Sequence, residues 1–328
     1  MDAKITKQRL GRLLSYDWLK IIGIIAGFIV IWSLIFTMTS TQITPSQQFT
    51  VFNHYANVSL DYGKFYDGYN SSIENGVFSY EVIEADVIDL TTAGDQRYTM
   101  CDTRFTTGQG DMMFVPNITD TEKEEEGLAF TYPESFFARY SAYIVSWDEY
   151  LESARDYLND YFDGDYQNGE LNEAKAERDF RARVKANNDK RFRKESKLED
   201  GIEDEKERLN KYRTEFLKFE QYLQDGIVKL ENIVYKNTST GEPYLTEQGE
   251  IALQGNYALN ICPDESKMSG LKNQVYYSVE AADGTKKPSA QDMCVMLFLL
   301  PDMDQDFQYE TILFLNTVIA VSITPTQA

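Results

Sequence analysis

The hydrophobic pattern of the chain opens with one long apolar run. Residues 21–38 read IIGIIAGFIVIWSLIFTM, eighteen residues without a charge. As a helix that rises about 1.5 Å per residue, such a run covers roughly 27 Å, close to the roughly 30 Å hydrocarbon core of a bilayer. The pattern predicts one transmembrane helix over residues 21–38, preceded by a basic segment over residues 1–20 and followed by a polar linker over residues 39–47.

The charges that flank this run predict its direction. Five basic residues precede it, at Lys4, Lys7, Arg9, Arg12 and Lys20, and the next one along the chain is Lys64. Because basic flanks stay in the cytoplasm, the pattern predicts a plasma-membrane protein with a cytoplasmic N-terminus and an extracellular C-terminal domain. A cleaved signal peptide is the alternative, but its apolar region spans only about 7 to 15 residues.

Several side chains of this helix suit the lipid bilayer as a partner. The predicted anchor residues are Trp18, Lys20, Gly23, Gly27 and Trp32. Trp18 and Lys20 fit the headgroup region, where an indole ring or a long basic side chain can reach polar groups. Gly23 and Gly27 have the GxxxG spacing that lets two helices approach closely, so a homodimer through this helix stays open.

After the linker, short apolar runs predict a β-rich half over residues 48–133. Strands are predicted at Gln48–His54, Phe78–Leu90 and Asp111–Val115, with a short helix inside Thr91–Gly110. A strand, helix and strand in succession indicate a parallel α/β unit.

The period then changes to that of helices. Apolar residues three and four apart predict an amphipathic helix of almost thirty residues from Glu134 to Tyr161 and, after a loop, a second helical tract to about Asn232. Strands return at Asn256–Cys262, Gln274–Glu280 and Cys294–Leu299, before an apolar element over Tyr309–Val321. The predicted fold is an α/β or α+β domain with halves 48–133 and 233–328, separated by a long helical hairpin over residues 134–232.

Charge and composition limit the classes of molecule that the domain is expected to bind. The first 38 residues hold five basic and two acidic residues, which leaves 27 basic and 51 acidic residues in the rest of the chain, a net charge of −24. Such a domain repels nucleic acid, so no nucleic-acid partner is expected. The 22 Tyr and 19 Phe residues can build a core, and tyrosines also suit surfaces that bind polar ligands.

Catalytic signals are weak. The chain has one histidine, His54, and no GxSxG, HExxH or P-loop spacing. Cys101, Cys262 and Cys294 form no CxxC pair, and either one disulfide with a free thiol or three free thiols would fit. We therefore predict no enzyme and no cofactor.

Two acidic loops resemble calcium sites in part. Their carboxylates are Asp163 and Asp165 in the first loop and Asp302, Asp304, Asp306 and Glu310 in the second. An EF-hand needs Gly at its sixth position and Glu at its twelfth, where the first loop has Asn168 and Ala174. Solvated acidic turns, with no metal, are the expected state.

The segment Lys175–Lys197 is unusually basic for this chain. It holds ten basic and four acidic residues. A helix of this charge could dock on an anionic partner or on lipid headgroups, or it could pair with acidic residues of its own fold. Internal or solvated pairing is the expected outcome.

One stretch resembles a known family. The sequences VFSYEVIEADVIDL and TRFTTGQGDMMFV, within residues 48–115, resemble the opening of extracellular solute-binding proteins of ABC transporters, of the type 2 periplasmic-binding-like class. The later GNYALNICPDESKMSGLKNQVYYSV is compatible with the two-lobed fold of that family. In that family a Gly-Asp pair precedes a strand at the ligand cleft, and Gly110 and Asp111 stand at the matching place. The chain also resembles uncharacterised anchored proteins of Gram-positive bacteria. The resemblance implies a two-lobed fold that binds a solute.

Two hypotheses follow. The first is a membrane-tethered extracellular binding or transporter-accessory module, with a small molecule or glycan as ligand and a transporter as partner. The second is a non-enzymatic adaptor of the cell envelope that grips a partner protein with its helical hairpin.

Overall fold

A computed structural model describes residues 7–39, 48–58, 78, 82, 84–300 and 308–324. Residues 1–42 and 43–328 form two compact units. In the first, helix α1 covers Lys7–Thr39, and its stretch Trp18–Phe36 has a mean hydropathy of 2.5. The prediction of one N-terminal apolar helix long enough to cross a membrane is therefore confirmed. A signal sequence can have the same length and composition, so the orientation of α1 across a membrane stays a prediction.

The second unit is built around a mixed sheet. Its described strands are β1 Gln48–Asn53, β3 Glu84–Asp89, β4 Met112–Pro116, β5 Ile144–Val145, β6 Lys229–Val234, β7 Gln254–Asn260 and β10 Met293–Phe298. They lie in the order β3-β1-β4-β10-β7-β6, and β5 also pairs with β10. Strands β2 Asn57–Val58, β8 Val275–Glu280 and β9 Lys286–Ser289 form a smaller antiparallel sheet. Strands from both predicted halves thus share one sheet, and the division at residues 133 and 232 stays a prediction.

The predicted parallel unit is confirmed. Strand β1 pairs in parallel with β3 on one side and with β4 on the other, and helix α2, Arg97–Thr106, lies between β3 and β4 in the chain. The predicted strand over residues 78–90 includes β3, whose residue Glu84 pairs with Gln48, the first residue of β1. Strand β10 then runs antiparallel to β4, which makes the sheet mixed.

The predicted helix over residues 134–161 is wrong in one respect, because it is two helices. Helix α4 covers Tyr132–Tyr140 and α5 covers Trp147–Tyr161. Between them Ile144 pairs with Phe298 and Val145 pairs with Leu297, so these β-branched residues belong to the sheet. The hydroxyl of Ser146 then accepts a hydrogen bond from the Glu149 amide, which caps the start of α5.

The long inserted hairpin is not confirmed. The second helical tract divides into α6, Glu173–Ala186, and α7, Glu195–Gln224. Asn188, between them, has a φ of 48°, a left-handed conformation that asparagine tolerates and that ends a helix. Both helices lie against the domain rather than apart from it, since Phe216 and Phe219 of α7 share one core with sheet residues such as Val295.

Helices cover both faces of the sheet. On one face, α5, α7 and α8 (Gln308–Ala320) contribute to the larger core, and the Trp147 indole of α5 donates to the Val295 carbonyl at 3.0 Å. On the other face, α2 and α4 pack Phe105 and Phe136 against Phe52 of β1. A short helix, α3, covers Thr121–Glu125. The three cysteines are buried and unpaired, which leaves three free thiols.

Candidate functional site

The sheet topology singles out the carboxyl ends of the parallel strands. From β1 the chain reaches β3 on one side, and it then crosses to β4 on the other side of β1. Where strand order reverses in this way, helices on opposite faces leave a crevice beyond the carboxyl ends, and ligands of α/β proteins bind there. In this chain Asn53 ends β1, His54 and Tyr55 follow it directly, and Thr91 lies just after β3.

Tyr55 turns the chain sharply at this edge. Its φ is 54°, a left-handed conformation that a bulky residue rarely adopts. The turn places its ring on that of Tyr132, with centroids 4.0 Å apart and planes 20° apart. Tyr132 is held in place as the first residue of α4, which begins with a capping box between Thr131 and Glu134. Backbone strain of this kind is found most often at functional sites.

A polar network fixes the outer end of Tyr55. Its hydroxyl donates to Glu122 of α3 and accepts from Arg97 of α2. The second guanidinium nitrogen of Arg97 lies 2.8 Å from the Glu122 carboxylate, and its Nε donates to the Gly94 carbonyl at 3.0 Å. The ion pair neutralises Arg97, whose residue is 8 % exposed. Three elements therefore meet around one tyrosine with no net charge.

The network also determines the protonation states of Tyr55 and Glu122. Burial and the hydrogen bond to Glu122 raise the pKa of Tyr55, so its hydroxyl stays protonated. Burial would raise the pKa of Glu122, but hydrogen bonds from Tyr55 and Arg97 outweigh burial and lower that pKa. Both groups keep these charge states at physiological pH.

His54 is buried and lies directly after the carboxyl end of β1. Its ring packs edge-on against Tyr55 at 4.8 Å between centroids and lies 5.6 Å from Phe136. Burial, helped by the charge of Arg97, lowers the pKa of His54 to about 3, so the imidazole is neutral at physiological pH. Its Nδ1 is buried and has no hydrogen-bond partner among the residues that the structure describes.

Two further polar atoms near the carboxyl end of β1 are buried and, like His54 Nδ1, have no hydrogen-bond partner in the described structure. Asn53 Oδ1 and Thr91 Oγ1 also have no hydrogen-bond partner within the described part of the chain. The residues are neighbours, because Asn53 pairs with Asp89 and its carbonyl accepts from the Leu90 amide at 2.8 Å. Each such atom costs about 1–3 kcal/mol, and folded proteins rarely leave several together. We call Asn53, His54, Tyr55, Thr91, Arg97, Glu122 and Tyr132 the carboxyl-edge site.

The pair Gly110 and Asp111 lies at the other end of the strands. Both residues precede β4. Gly110 has a φ of 145°, and a Cβ there would lie 2.9 Å from the Phe52 ring. The Asp111 carboxylate accepts from the Thr50 amide at 2.6 Å. Packing and backbone pairing account for the two residues, and their role in ligand binding stays a prediction.

The structure brings Asp111 and Glu310 together from distant parts of the chain. Both side chains are buried, at 7 % and 2 % exposure of the residue. Burial raises the pKa of Asp111 to about 7, and the negative charge of Glu310 contributes to that rise against the hydrogen bond from Thr50. Of the other carboxylates in the second loop, Asp302, Asp304 and Asp306 lie outside the described residues.

The first acidic loop is a hydrogen-bonded turn. Asp165 Oδ1 accepts from the amides of Gln167 and Asn168, both at 3.1 Å. Asp163 has a φ of 52°, and its carboxylate lies 3.4 Å from the Asn172 amide nitrogen. Within the described ranges, no group of three or more His, Cys, Asp or Glu side chains is arranged to hold a metal ion.

The basic segment Lys175–Lys197 pairs largely within the fold, as expected. Lys175 lies 2.8 Å from Asp160 and 2.9 Å from Asp179. Arg183 lies 3.0 Å from Glu205 of α7, a carboxylate that is buried. These ion pairs join α6 to its neighbours and use much of the positive charge of the segment.

The anchor residues lie on α1 as the sequence predicts. Trp18 and Trp32 are 50 % and 62 % exposed, and Lys20 is exposed as well. Gly23 and Gly27 have open space where a Cβ would stand. The role of these residues as a membrane anchor stays a prediction.

Sequence reasoning missed Tyr55, Arg97, Glu122 and Tyr132. They come from four separate elements, and only the topology of the sheet places them side by side. One local signal was available, the T-x-x-E capping box of Thr131 and Glu134, which marks the start of α4 and so the position of Tyr132.

No protein-family model, no curated protein and no solved structure matches this chain.

Proposed function

We propose that this chain is a membrane-tethered extracellular binding module. In this proposal α1 is an uncleaved anchor with its basic end in the cytoplasm, and the carboxyl-edge site binds an uncharged, hydroxyl-rich small molecule such as a carbohydrate. One observation carries the proposal: Asn53 Oδ1, His54 Nδ1 and Thr91 Oγ1, which belong to residues at or just beyond the carboxyl ends of β1 and β3, are each buried without a hydrogen-bond partner in the described structure.

The chemistry of these atoms favours a neutral ligand. An amide oxygen accepts hydrogen bonds, whereas a neutral imidazole and a hydroxyl can accept or donate them. None of the three groups carries a charge that could balance a charged ligand. The charged side chains nearby, Arg97 and Glu122, already balance each other at 2.8 Å. A ligand with several hydroxyl groups could recover the missing hydrogen bonds without leaving a charge unpaired.

The geometry favours a ligand that sits across the end of β1. Asn53 alternates with Phe52 along β1, while His54 packs against Phe136 on the face that Phe52 shares. A ligand that meets both side chains must therefore lie over the strand end. Tyr55 adds aromatic surface there, which suits the apolar face of a sugar ring.

A binding role agrees with the weak catalytic signals. Nucleophilic catalysis needs a nucleophile next to an activating base that is itself oriented by a third group. His54 has aromatic neighbours on its ring, and its low pKa makes it a poor base near neutral pH. The resemblance to solute-binding proteins and a role beside a transporter fit this proposal. The adaptor alternative rests on a protruding hairpin, whereas α7 is packed into the core.

Thermal-shift and calorimetric titration of the full chain in detergent micelles, against neutral mono- and oligosaccharides, tests the proposal. A ligand at about 100 times its Kd stabilises the folded state by about 2.7 kcal/mol. Thr91→Val removes one unsatisfied hydroxyl while keeping the side-chain shape. This variant should be at least as stable as the parent without sugar, and it should bind sugar more weakly.

The matched control is Thr214→Val, at an exposed position on α7. It should leave the sugar affinity unchanged. If no neutral sugar stabilises the protein, or if Thr91→Val binds sugar as the parent does, the carboxyl-edge site is not a carbohydrate site. Orientation is tested separately by protease treatment of intact cells, which should digest the C-terminal domain and spare an N-terminal tag.

A further inference from the structure

A second concave surface lies away from the carboxyl-edge site and shares no residue with it. This groove has a volume of about 810 Å³ and lies between α5, the turn from α7 to β6, and Pro263. We call it the α5 groove. Its apolar lining residues are Leu151, Leu223, Val228 and Leu230, and its volume falls in the range of ligand and peptide sites, about 300–1,000 Å³.

One side of the groove is a row of carboxylates. Asp148, Glu152 and Asp156 follow each other at four-residue intervals on α5, and all three are exposed. Asp148 accepts a hydrogen bond from the Asn256 amide group at 2.9 Å. No ion pair joins any of the three to a cation in the described part of the structure. Like charges at this spacing destabilise a helix, so the row is unfavourable for the isolated domain.

The cations of the groove do not relieve this charge. Arg155 pairs with Glu220 at 2.9 Å, and Lys229 pairs with Glu231 at 3.2 Å. Neither Glu220 nor Glu231 lines the groove. Each cation is thus neutralised by a carboxylate outside the groove, and the row on α5 leaves a net negative, apolar-floored surface. Its electrostatic complement is a cationic partner with apolar side chains.

The spacing of the row indicates the form of that partner. Residues four apart on a helix are separated by about 6 Å along its axis. In an extended chain, residues two apart are separated by about 6.6 Å. An extended segment with Lys or Arg at alternate positions can therefore place successive cations near successive carboxylates. Its intervening side chains point the opposite way, away from α5 and toward Leu223 and Leu230 on the other side of the groove.

We propose that the α5 groove docks a short extended basic segment of a partner protein, with alternating basic and apolar residues. Charge complementarity selects the cations, and burial of the apolar side chains adds a contribution that does not depend on salt. This interaction is independent of sugar binding, because its residues lie outside the carboxyl-edge site.

Fluorescence anisotropy with a labelled KLKLK peptide and the full chain in nonionic detergent tests this inference. The variant Glu152→Gln/Asp156→Asn removes two carboxylates with little change in shape. It should weaken peptide binding about tenfold, the sum expected for two exposed ion pairs. The control Glu247→Gln/Glu250→Gln makes the same change in net charge at exposed positions outside the groove and should bind as the parent does.

Three results would overturn the inference. The first is equal weakening by both double variants, which would indicate attraction to the net charge of the domain alone. The second is no binding of KLKLK at low salt. The third is binding of spermine as tight as that of the peptide, which would indicate a diffusible polycation instead of a protein segment. Sugar affinity measured on the groove variant should be unchanged, so failure here and failure of the carbohydrate proposal can be told apart.

Discussion

Glu205 and Arg208 form an ion pair inside the helical layer, with a carboxylate oxygen of Glu205 2.8 Å from a guanidinium nitrogen of Arg208. Both residues lie on α7, one turn apart, and their side chains are only 2 % and 3 % exposed. Arg183 of α6 adds a second ion pair to the same carboxylate at 3.0 Å, and Tyr157 of α5 accepts from Arg208 at 3.0 Å. One buried carboxylate thus links three helices.

Loss of this carboxylate should destabilise the domain strongly. Glu205→Ala removes the buried carboxylate that Arg208 contacts at 2.8 Å, and breaking one side of a buried pair costs about 3–5 kcal/mol. Urea unfolding followed by circular dichroism should show this loss, whereas Glu203→Ala, at an exposed position of α7, should change stability little. The double variant Glu205→Leu/Arg208→Met should recover part of the stability, since it removes both fully buried charges, and since Arg183, the second cation at Glu205, is partly exposed. Equal stability of the parent and Glu205→Ala would contradict the assignment.

The ion pairs of Glu205 show one feature that could not be predicted from the sequence. Apolar residues at three- and four-residue intervals correctly indicate the buried face of α7, and Leu209, Tyr212 and Phe216 are all fully buried. Glu205 interrupts that pattern, and its own sequence neighbourhood does not show that Arg183 of another helix lies beside it. Periodicity reports which face is buried, whereas the partner of a buried charge depends on tertiary packing.

The break between α4 and α5 shows a second limit. The spacing of Phe136, Tyr140, Tyr143 and Trp147 continues an α-helical period across a segment that is a single 3-10 turn followed by strand β5. Ile144 leaves the helix because it pairs with Phe298, a residue far along the chain. By contrast, the parallel unit of β1, β3 and β4 follows from local runs in which apolar residues are continuous, as in β4, or interspersed with polar ones, as in β3. The carboxyl-edge site required both kinds of information, since Tyr55, Arg97 and Glu122 meet only after β1 takes its place between β3 and β4.

Asp111 should make stability fall as pH rises toward neutrality. Its folded pKa of about 7 is above the unfolded value of 3.8, so the folded state holds a proton that the unfolded state has already released. The contribution is fully present below pH 3.8 and is lost as pH rises to about 7, at about 1.4 kcal/mol per pH unit. Asp111→Asn imitates the protonated acid and should be more stable than the parent at pH 7.5, by about 1–4 kcal/mol.

Chemical unfolding between pH 4 and pH 8 measures this difference. The gap between Asp111→Asn and the parent should be small at pH 4 and should widen toward pH 7. Thr214→Val, at an exposed position on α7, removes no titratable group, so it is the control and should show a nearly constant gap. A parent that is more stable than Asp111→Asn at pH 7.5 would show that the carboxyl group is ionised in the fold.

Gly110 should tolerate no side chain. Its φ of 145° is unfavourable for an L-residue, and a Cβ would lie 2.9 Å from the Phe52 ring and 3.2 Å from the Phe105 ring. Gly127 offers a matched comparison, because it has a φ of 77° but open space around the Cβ position. Gly127→Ala should cost about 1 kcal/mol from backbone strain alone, and Gly110→Ala should cost about 1–3 kcal/mol more from the added contact. Thermal unfolding of the two variants under one condition measures the difference, and equal losses would argue against tight packing at Gly110.

His54 should make folding stability rise with pH, whereas Asp111 makes it fall. Its folded pKa of about 3 is below the unfolded value of 6.5, because burial and the charge of Arg97 disfavour the imidazolium. The unfolded chain therefore binds a proton that the folded chain refuses. The stability that neutral His54 contributes is present above pH 6.5 and is lost as pH falls toward 3. The loss amounts to about 1.4 kcal/mol per pH unit within that window.

The variant His54→Phe separates this effect from packing, since it keeps an aromatic ring beside Tyr55 and Phe136. Between pH 7 and pH 4.5 the parent should lose about 2–3 kcal/mol more stability than the variant does. Because His54 Nδ1 also belongs to the carboxyl-edge site, the variant should bind neutral sugars more weakly at pH 7, where its fold is intact. The two measurements are distinct: identical pH profiles of parent and variant would show that the imidazole is not buried, and an unchanged sugar affinity would remove it from the site.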